Sequence, residues 1–446
     1  MRNLSIRRRR CARIAAVVAL LVTFNVSAAS AQASLQVPMQ FDFLNPGARS
    51  LAVGSAFVGL ADDATSAFTN PAGLILLTAP ELSFDVRASE MESLFLSGGR
   101  LSGPVSNLGI DRSLGVTYGD SPATHTGLSY LSFVYPWKNF RIAGYRHEFV
   151  RLEQSFEADG VFQGEGSREL ALRARRDMSI TAYGGATAYR YKQLSVGLTL
   201  ALYQSKLDAE FERFFAPDLF DKATFAPDTR IGRAVQTADE LSFGFNVGGL
   251  YTARDKPKAR VDLVQIGAVF RQGANFEFEA FEGDINAPVT RDNTFRVPDA
   301  AGAGVAVRVA RTATFTAEIT RVNYKSLLDG YVSSQAGNLG KRENFTVDNA
   351  TELHAGAEYI LSVKASPKLR IGVWHDPDHA VRYEAPADPD FFDQRFAAYL
   401  PARGAVTHFT FGGGVSIRQL EINAGFDLSS RSHVFSVSSI IRFVKL

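Results

Sequence analysis

Leu194-Ser195-Val196-Gly197-Leu198-Thr199-Leu200-Ala201-Leu202-Tyr203 decides the fold of this chain, because every second residue is a large aliphatic. A strand sends successive side chains to opposite faces, so the stretch has one greasy face and one small or polar face. Leu420, Ile422, Ala424, Phe426 and Leu428 repeat the pattern against Glu421, Asn423, Gly425, Asp427 and Ser429. In a soluble sandwich the greasy faces meet in a dry core. Segments of about ten residues with this alternation, recurring along most of a chain, suit a barrel instead. Its greasy face meets lipid, and the small and ionisable residues line a lumen.

The start of the chain favours lipid. Arg2, Arg7, Arg8, Arg9, Arg10 and Arg13 flank or precede an apolar run from Ile14 to Phe24, and Ala29-Ser30-Ala31 offers a cleavage site. This is the pattern of a secretory signal over residues 1–31, too short to span a membrane comfortably. The chain has 48 basic and 46 acidic residues; without the six leader arginines the balance is 42 against 46, a net of −4. Nothing there points to nucleic acid. Cys11, the only cysteine, belongs to the leader, so the mature chain has neither disulfide nor thiolate metal site. No later apolar run reaches about eighteen residues. Exported, without helical spans, and carrying 34 Phe and 14 Tyr among alternating segments, the chain has the profile of a Gram-negative outer-membrane barrel.

About fourteen strands can be placed. Their cores are Leu82 to Ala88, Gly127 to Tyr135, Phe140 to Phe156, Asp177 to Tyr189, Leu194 to Phe211, Leu241 to Ala253 and Val261 to Phe278. The others are Ala303 to Val309, Ala313 to Tyr324, Thr351 to Leu361, Leu369 to His375, Val406 to Arg418, Leu420 to Ser429 and Val434 to Phe443. Gaps between them alternate in length, as tight periplasmic turns and longer outer loops require. The third strand departs from clean alternation: Arg141, Arg146, Glu148, Arg151 and Glu153 fall on both faces. Either a bulge near Gly144 shifts the phase and opens the wall sideways, or the register is misplaced, which is the simpler account.

Residues 32–79 do not alternate. The run GARSLAVGSAFVGLADDATSAFTNPAGL, from Gly47 to Leu74, is too rich in small residues for a core of its own and too apolar for a solvated linker. A barrel of about fourteen strands is too wide for side chains to fill, so this segment is expected to plug it. Ala61-Asp62-Asp63-Ala64 followed by Asn70-Pro71-Ala72-Gly73-Leu74 resembles the N-terminal hatch of the FadL family, outer-membrane transporters of long-chain fatty acids and aromatic hydrocarbons. Ala355-Gly356-Ala357-Glu358-Tyr359, Leu369-Arg370-Ile371-Gly372-Val373 and His408-Phe409-Thr410-Phe411-Gly412-Gly413-Gly414 are similar to that family's late strands. The resemblance implies a fourteen-stranded antiparallel barrel (residues 80–446), a hatch over residues 32–79 whose motif is Asn70, Pro71 and Ala72, and lateral release into the membrane.

The outer segment from Glu212 to Glu240 is the candidate for ligand capture. Phe214, Phe215, Leu219, Phe220 and Phe225 at helical spacing make one greasy face, which either binds ligand or packs on a neighbouring loop. Phe391, Phe392, Phe396 and Tyr399 form a second aromatic group. Arg271, Arg308, Glu318, Glu358, Arg370 and Arg418 face the lumen by alternation, where an arginine meets a fatty-acid carboxylate or pairs with a neighbouring acid. His375-Asp376-Pro377-Asp378-His379 has metal-binding residue types, but Pro377 forbids the helix that aligns them, so no metal is expected. His408 and His433 lack a hydrolase motif around them, and neither enzyme activity nor a cofactor is expected. The function expected is passive uptake of a fatty acid or other small hydrophobic molecule by a monomer in outer-membrane lipid. The alternative is a barrel that anchors or shuttles for a secretion or surface-attachment system and transports nothing.

Overall fold

The computed structural model describes residues 43–443 apart from 165, 217, 285–286, 329–341 and 364, with backbone alone for 278–284, 287–293 and 342. The expected leader, residues 1–31, and residues 32–42 of the expected hatch lie outside the described residues. Fourteen strands form the wall: β1 Glu81–Ser102, β2 Gly115–Trp137, β3 Phe140–Ala158, β4 Ala171–Tyr191, β5 Leu194–Phe214, β6 Arg230–Asp255 and β7 Val261–Arg271. β8 Ala300–Val309, β9 Ala313–Val322, β10 Ala350–Ile360, β11 Lys368–Asp376, β12 Val406–Ile417, β13 Leu420–Leu428 and β14 Ser432–Arg442 complete it. Each pairs antiparallel with its neighbours in sequence, and β14 pairs back onto β1 from Glu81↔Arg442 to Met91↔Ser432. The pairing of β14 with β1 closes the barrel, so neither end of the sheet is left as a free edge.

The greasy face looks outward. Leu194, Val196, Leu198, Leu200 and Leu202 are exposed, whereas Ser195, Thr199 and Tyr203 are buried inside. That stretch of β5, at about 3.3 Å per residue and tilted, matches the ~25 Å apolar band of membrane barrels. Beyond Leu202 the chemistry of the faces inverts without a change of register. Lys206, Asp208 and Glu210 point out, while Ala209 and Phe211 pack inward with Phe156, Leu172 and Ala234. The wall is therefore uneven: β1–β6 run well past the apolar band, and β7–β14 stop near its edge.

Three expectations are corrected here. Much of the segment from Glu212 to Glu240 is wall, because β5 continues to Phe214 and β6 begins at Arg230. Nor does one strand run from Val261 to Phe278: β7 ends at Arg271, and Asn275–Asp284 pairs with Ala287–Arg296 as a separate hairpin. In β3 the register shift against β4 lies between Glu148 and Val150, at Phe149 and not near Gly144. One extra residue there places Arg146 and Glu148 before it, and Arg151 and Glu153 after it, on the same outer face. The apparent two-facedness of the sequence is a real bulge.

Candidate functional site

Residues 43–79 lie inside the barrel, almost wholly buried. Short helical turns, α1 Ala48–Ala52, α2 Ser66–Thr69 and the 3-10 turn Pro71–Leu76, let a small-residue chain fold compactly against the wall. Asn70 caps the last turn: its Oδ1 accepts from Ala72 N at 3.2 Å, and Pro71 occupies the first helical position, where no N–H is needed. Its Nδ2 donates to Val58 O at 2.9 Å and to Gly249 O of β6 at 3.2 Å. The backbones touch so closely that a Cβ on Gly248 would overlap Asn70 Oδ1, and one on Gly197 would overlap Ala72 N. Charge adds a second grip. Arg49 bonds Glu358 of β10 at 3.1 Å as well as Asp62, and Arg370 of β11 bonds the same Glu358 at 2.7 Å. Arg370 also reaches Asn423 of β13 at 2.9 Å.

Between the hatch and β3–β9 lies an aromatic interior. Phe43 stacks on Phe149 with centroids 4.8 Å apart and on Tyr324 at 5.8 Å, both within 9° of parallel. Phe68 meets His147 edge-on at 4.4 Å, and the Arg271 guanidinium lies 4.2 Å from the Phe68 centroid. The other acids of this region are engaged. Glu318 accepts from Val58 N at 2.7 Å, and Asp427 accepts from Trp374 and His408, each at 2.8 Å. Arg271 has no ion-pair partner among the described residues, and both ring nitrogens of buried His147 and the Tyr145 hydroxyl lack hydrogen bonds. A narrow cavity of about 40 Å³ opens here, lined by Phe43, Arg271, Glu318, His354 and Trp374.

The wall beside this interior is incomplete. β2 and β3 are laddered only from Trp137↔Phe140 to Tyr130↔His147. Above that, β2 stays with β1 and β3 stays with β4. Side chains bridge the remaining seam. His125 lies 3.2 Å from Glu148 and 3.5 Å from Glu153, and Ser121 Oγ donates to Ser155 O at 2.9 Å. Behind the seam is a second cavity, about 60 Å³, lined by Leu44, Arg87, His125, Glu148 and Phe149. Leu44 borders both cavities, so Phe43 and Leu44 form the partition between lumen and seam.

Solved structures of the same shape exist. A Pseudomonas aeruginosa FadL homologue superposes with a TM-score of 0.61 at 13% identity, over 91% of this chain and all of its own. The P. putida toluene transporter TodX gives 0.58 at 14%, and the Ralstonia pickettii toluene transporter TbuX 0.54 at 16%, with the same coverage of both chains. The chain has the FadL-type fold. No family model and no curated protein matches its sequence. At such identities the likeness speaks for the fold.

Within this FadL-type fold the candidate residues sit as follows. Asn70, Pro71 and Ala72 are buried where the hatch meets β5 and β6. Phe214 ends β5 and is buried, edge-on to Phe225 at 5.2 Å, with Arg173 over both rings. Phe220 stacks on Phe162 of the neighbouring loop at 5.9 Å, Leu219 is half-buried, and Phe215 is 58% exposed. They share no helix, so the single greasy face expected from their spacing does not form. Phe391–Tyr399 is a helix, α3, with Phe396 buried against Phe345 and Tyr383. His375 faces outward while His379 is buried on Tyr324, so the two histidines diverge. Glu318, Glu358 and Arg370 are inside. Arg308 pairs with Asp262 at 2.7 Å, and Arg418 is instead exposed in the β12–β13 turn. Phe43, Phe68 and His147 were missed, because residues from the hatch and from two strands meet there without any shared sequence period.

Proposed function

We propose that this protein carries a small hydrophobic molecule, a long-chain fatty acid or an aromatic hydrocarbon, passively across a bacterial outer membrane as a monomer. The observation that supports it best is the unladdered β2–β3 seam opening off an aromatic lumen above a hatch gripped by the wall. The named activities of TodX and TbuX, toluene transport, agree with such cargo. Phe215, Phe220 and Phe225 offer the first contact at the outer loops, with Phe214 and Leu219 beneath them. The molecule then partitions down its gradient into the aromatic interior, driven by release of ordered water, with no cofactor and no reaction. Asn70, Pro71 and Ala72 keep the hatch seated, so the exit is sideways past Phe43 and Leu44 and through the seam into lipid.

The seam is open to direct test. The side chains of His125 and Glu148 meet across it, so His125→Cys with Glu148→Cys can be joined through two disulfides by a short bis-methanethiosulfonate reagent. Cells carrying the cross-linked pair are expected to lose most uptake of radiolabelled oleate or toluene, and reductant should restore it. Unchanged uptake with the bridge formed would refute lateral exit.

A further inference from the structure

The rim at the short-turn end, periplasmic in the reading above, carries a band of cations without partners. Arg190 and Lys192 flank the end of β4 at its turn to β5, Arg254 and Lys256 the end of β6 at its turn to β7, and all four are exposed. Between these turns lies a recess of about 570 Å³, whose lining includes the four cations, Leu76 of the hatch and a single carboxylate, Asp255. Lys258, Arg260 and Arg311 continue the exposed band onto the next turns. None of these seven makes an ion pair among the described residues. At the opposite end several arginines are paired. There Arg151 meets Asp177 at 3.0 Å, Arg173 meets Glu157 at 2.8 Å and Arg230 meets Glu212 at 2.6 Å. Unpaired cations crowded around one concavity repel one another, and an anion seated among them relieves that repulsion.

Apolar contacts next to the recess indicate which anion. Tyr191, Leu194 and Tyr251 are exposed on the outer wall immediately beside it. Lys192 Nζ lies 5.3 Å from the Tyr191 centroid, and Lys138 Nζ 5.7 Å from that of Trp137. Aromatic rings with cations folded over them mark the headgroup level of a bilayer. A ligand filling the recess thus has its charge among arginines and lysines and its tails along Tyr191 and Leu194. We infer that this recess binds the phosphate headgroup of an anionic phospholipid from the adjoining leaflet. The site depends on the barrel lying in a membrane and is independent of what the lumen carries.

The test uses the whole protein in detergent, titrated with phosphatidylglycerol or phosphatidylcholine and read by native mass spectrometry. Phosphatidylglycerol is expected to be held at least ~10-fold more tightly, since each of the four cations near a headgroup contributes up to roughly fivefold. Arg190→Gln, Lys192→Gln, Arg254→Gln and Lys256→Gln together should bring the two lipids level, while Lys206→Gln with Lys222→Gln at the opposite end should change nothing. Added salt should weaken phosphatidylglycerol alone in the unaltered protein, a reading that needs no variant. Equal retention of the two lipids, or full retention by the fourfold variant, overturns the inference. Displacement by millimolar inorganic phosphate overturns it in favour of a free anion. Cross-links from Lys192 to an acidic periplasmic protein, with no lipid preference, overturn it in favour of a protein partner.

Discussion

Arg271 shows how one residue sets the chemistry of the lumen. It lies on Phe68 beside a small cavity, with no carboxylate in ion-pair contact among the described residues. A fatty acid brings one; toluene does not. A hydrogen bond to a charged group contributes about 1.5–3 kcal/mol, so Arg271→Met should weaken oleate binding roughly ten- to hundredfold. Naphthalene binding to the same variant, followed by fluorescence, should barely move; equal losses for both ligands would make Arg271 a packing residue. Phe43 acts differently, by filling space. Neither cavity beside it, at about 40 and 60 Å³, approaches the ~150 Å³ that holds a benzene. Phe43→Ala joins them, and naphthalene is expected to cross into vesicles faster through the reconstituted variant. A slower or unchanged rate would show that Phe43 is not the partition. Arg271 could be read from the sequence, since alternation along β7 turns it inward. Phe43 could not, because its ring is placed by Tyr324 and Phe149, far away in sequence.

At the scale of elements, the strands were legible wherever one face stays greasy, as from Leu194 to Leu202. The upper half of β6 was not, because outside the membrane its faces carry charge and small residues in the manner of any soluble sheet. The bulge at Phe149 left a visible trace, charged residues on both faces of β3, but only the pairing with β4 reveals its position. Loops hold shape through local bonds that periodicity does not report. The loop between β11 and β12, which carries α3, is pinned at Asp378. Burial works to raise that carboxyl, but N–H donors of Ala380, Gly404 and Arg403, with the Arg431 charge, outweigh it and hold it below its ordinary value of 3.8. A lowered carboxyl stabilises the loop fully above that ordinary value, and the contribution is lost as pH falls through the depressed one. The loop should therefore resist trypsin at neutral pH and at pH 5 alike. Asp378→Asn should expose Arg382 and Arg403 to cleavage at pH 7, and an unchanged digestion pattern would leave Asp378 without this role.

On the scale of the whole molecule, a wide barrel stays closed because a separate segment fills it, and that segment has little internal core. It is held by contact with the wall: Asn70 to Gly249, Arg49 to Glu358, and backbone laid directly on Gly197 and Gly248. A plug held in this way ought to be removable by a single methyl-bearing side chain placed between the two surfaces. Gly248→Val supplies one, since its Cβ would lie only 2.1 Å from Asn70 Oδ1. Valine suits a strand, so the barrel itself should still assemble and keep its resistance to unfolding in cold detergent. The adjacent Gly249→Val is the matched control, because nothing lies within 4 Å of a Cβ there. In planar bilayers the parent chain and Gly249→Val are expected to pass almost no ionic current, and Gly248→Val to show steady aqueous conductance. If Gly248→Val assembles and remains silent, the grip around Asn70 is not what keeps the lumen shut, and the charges on Arg49 and Glu358 become the next place to look.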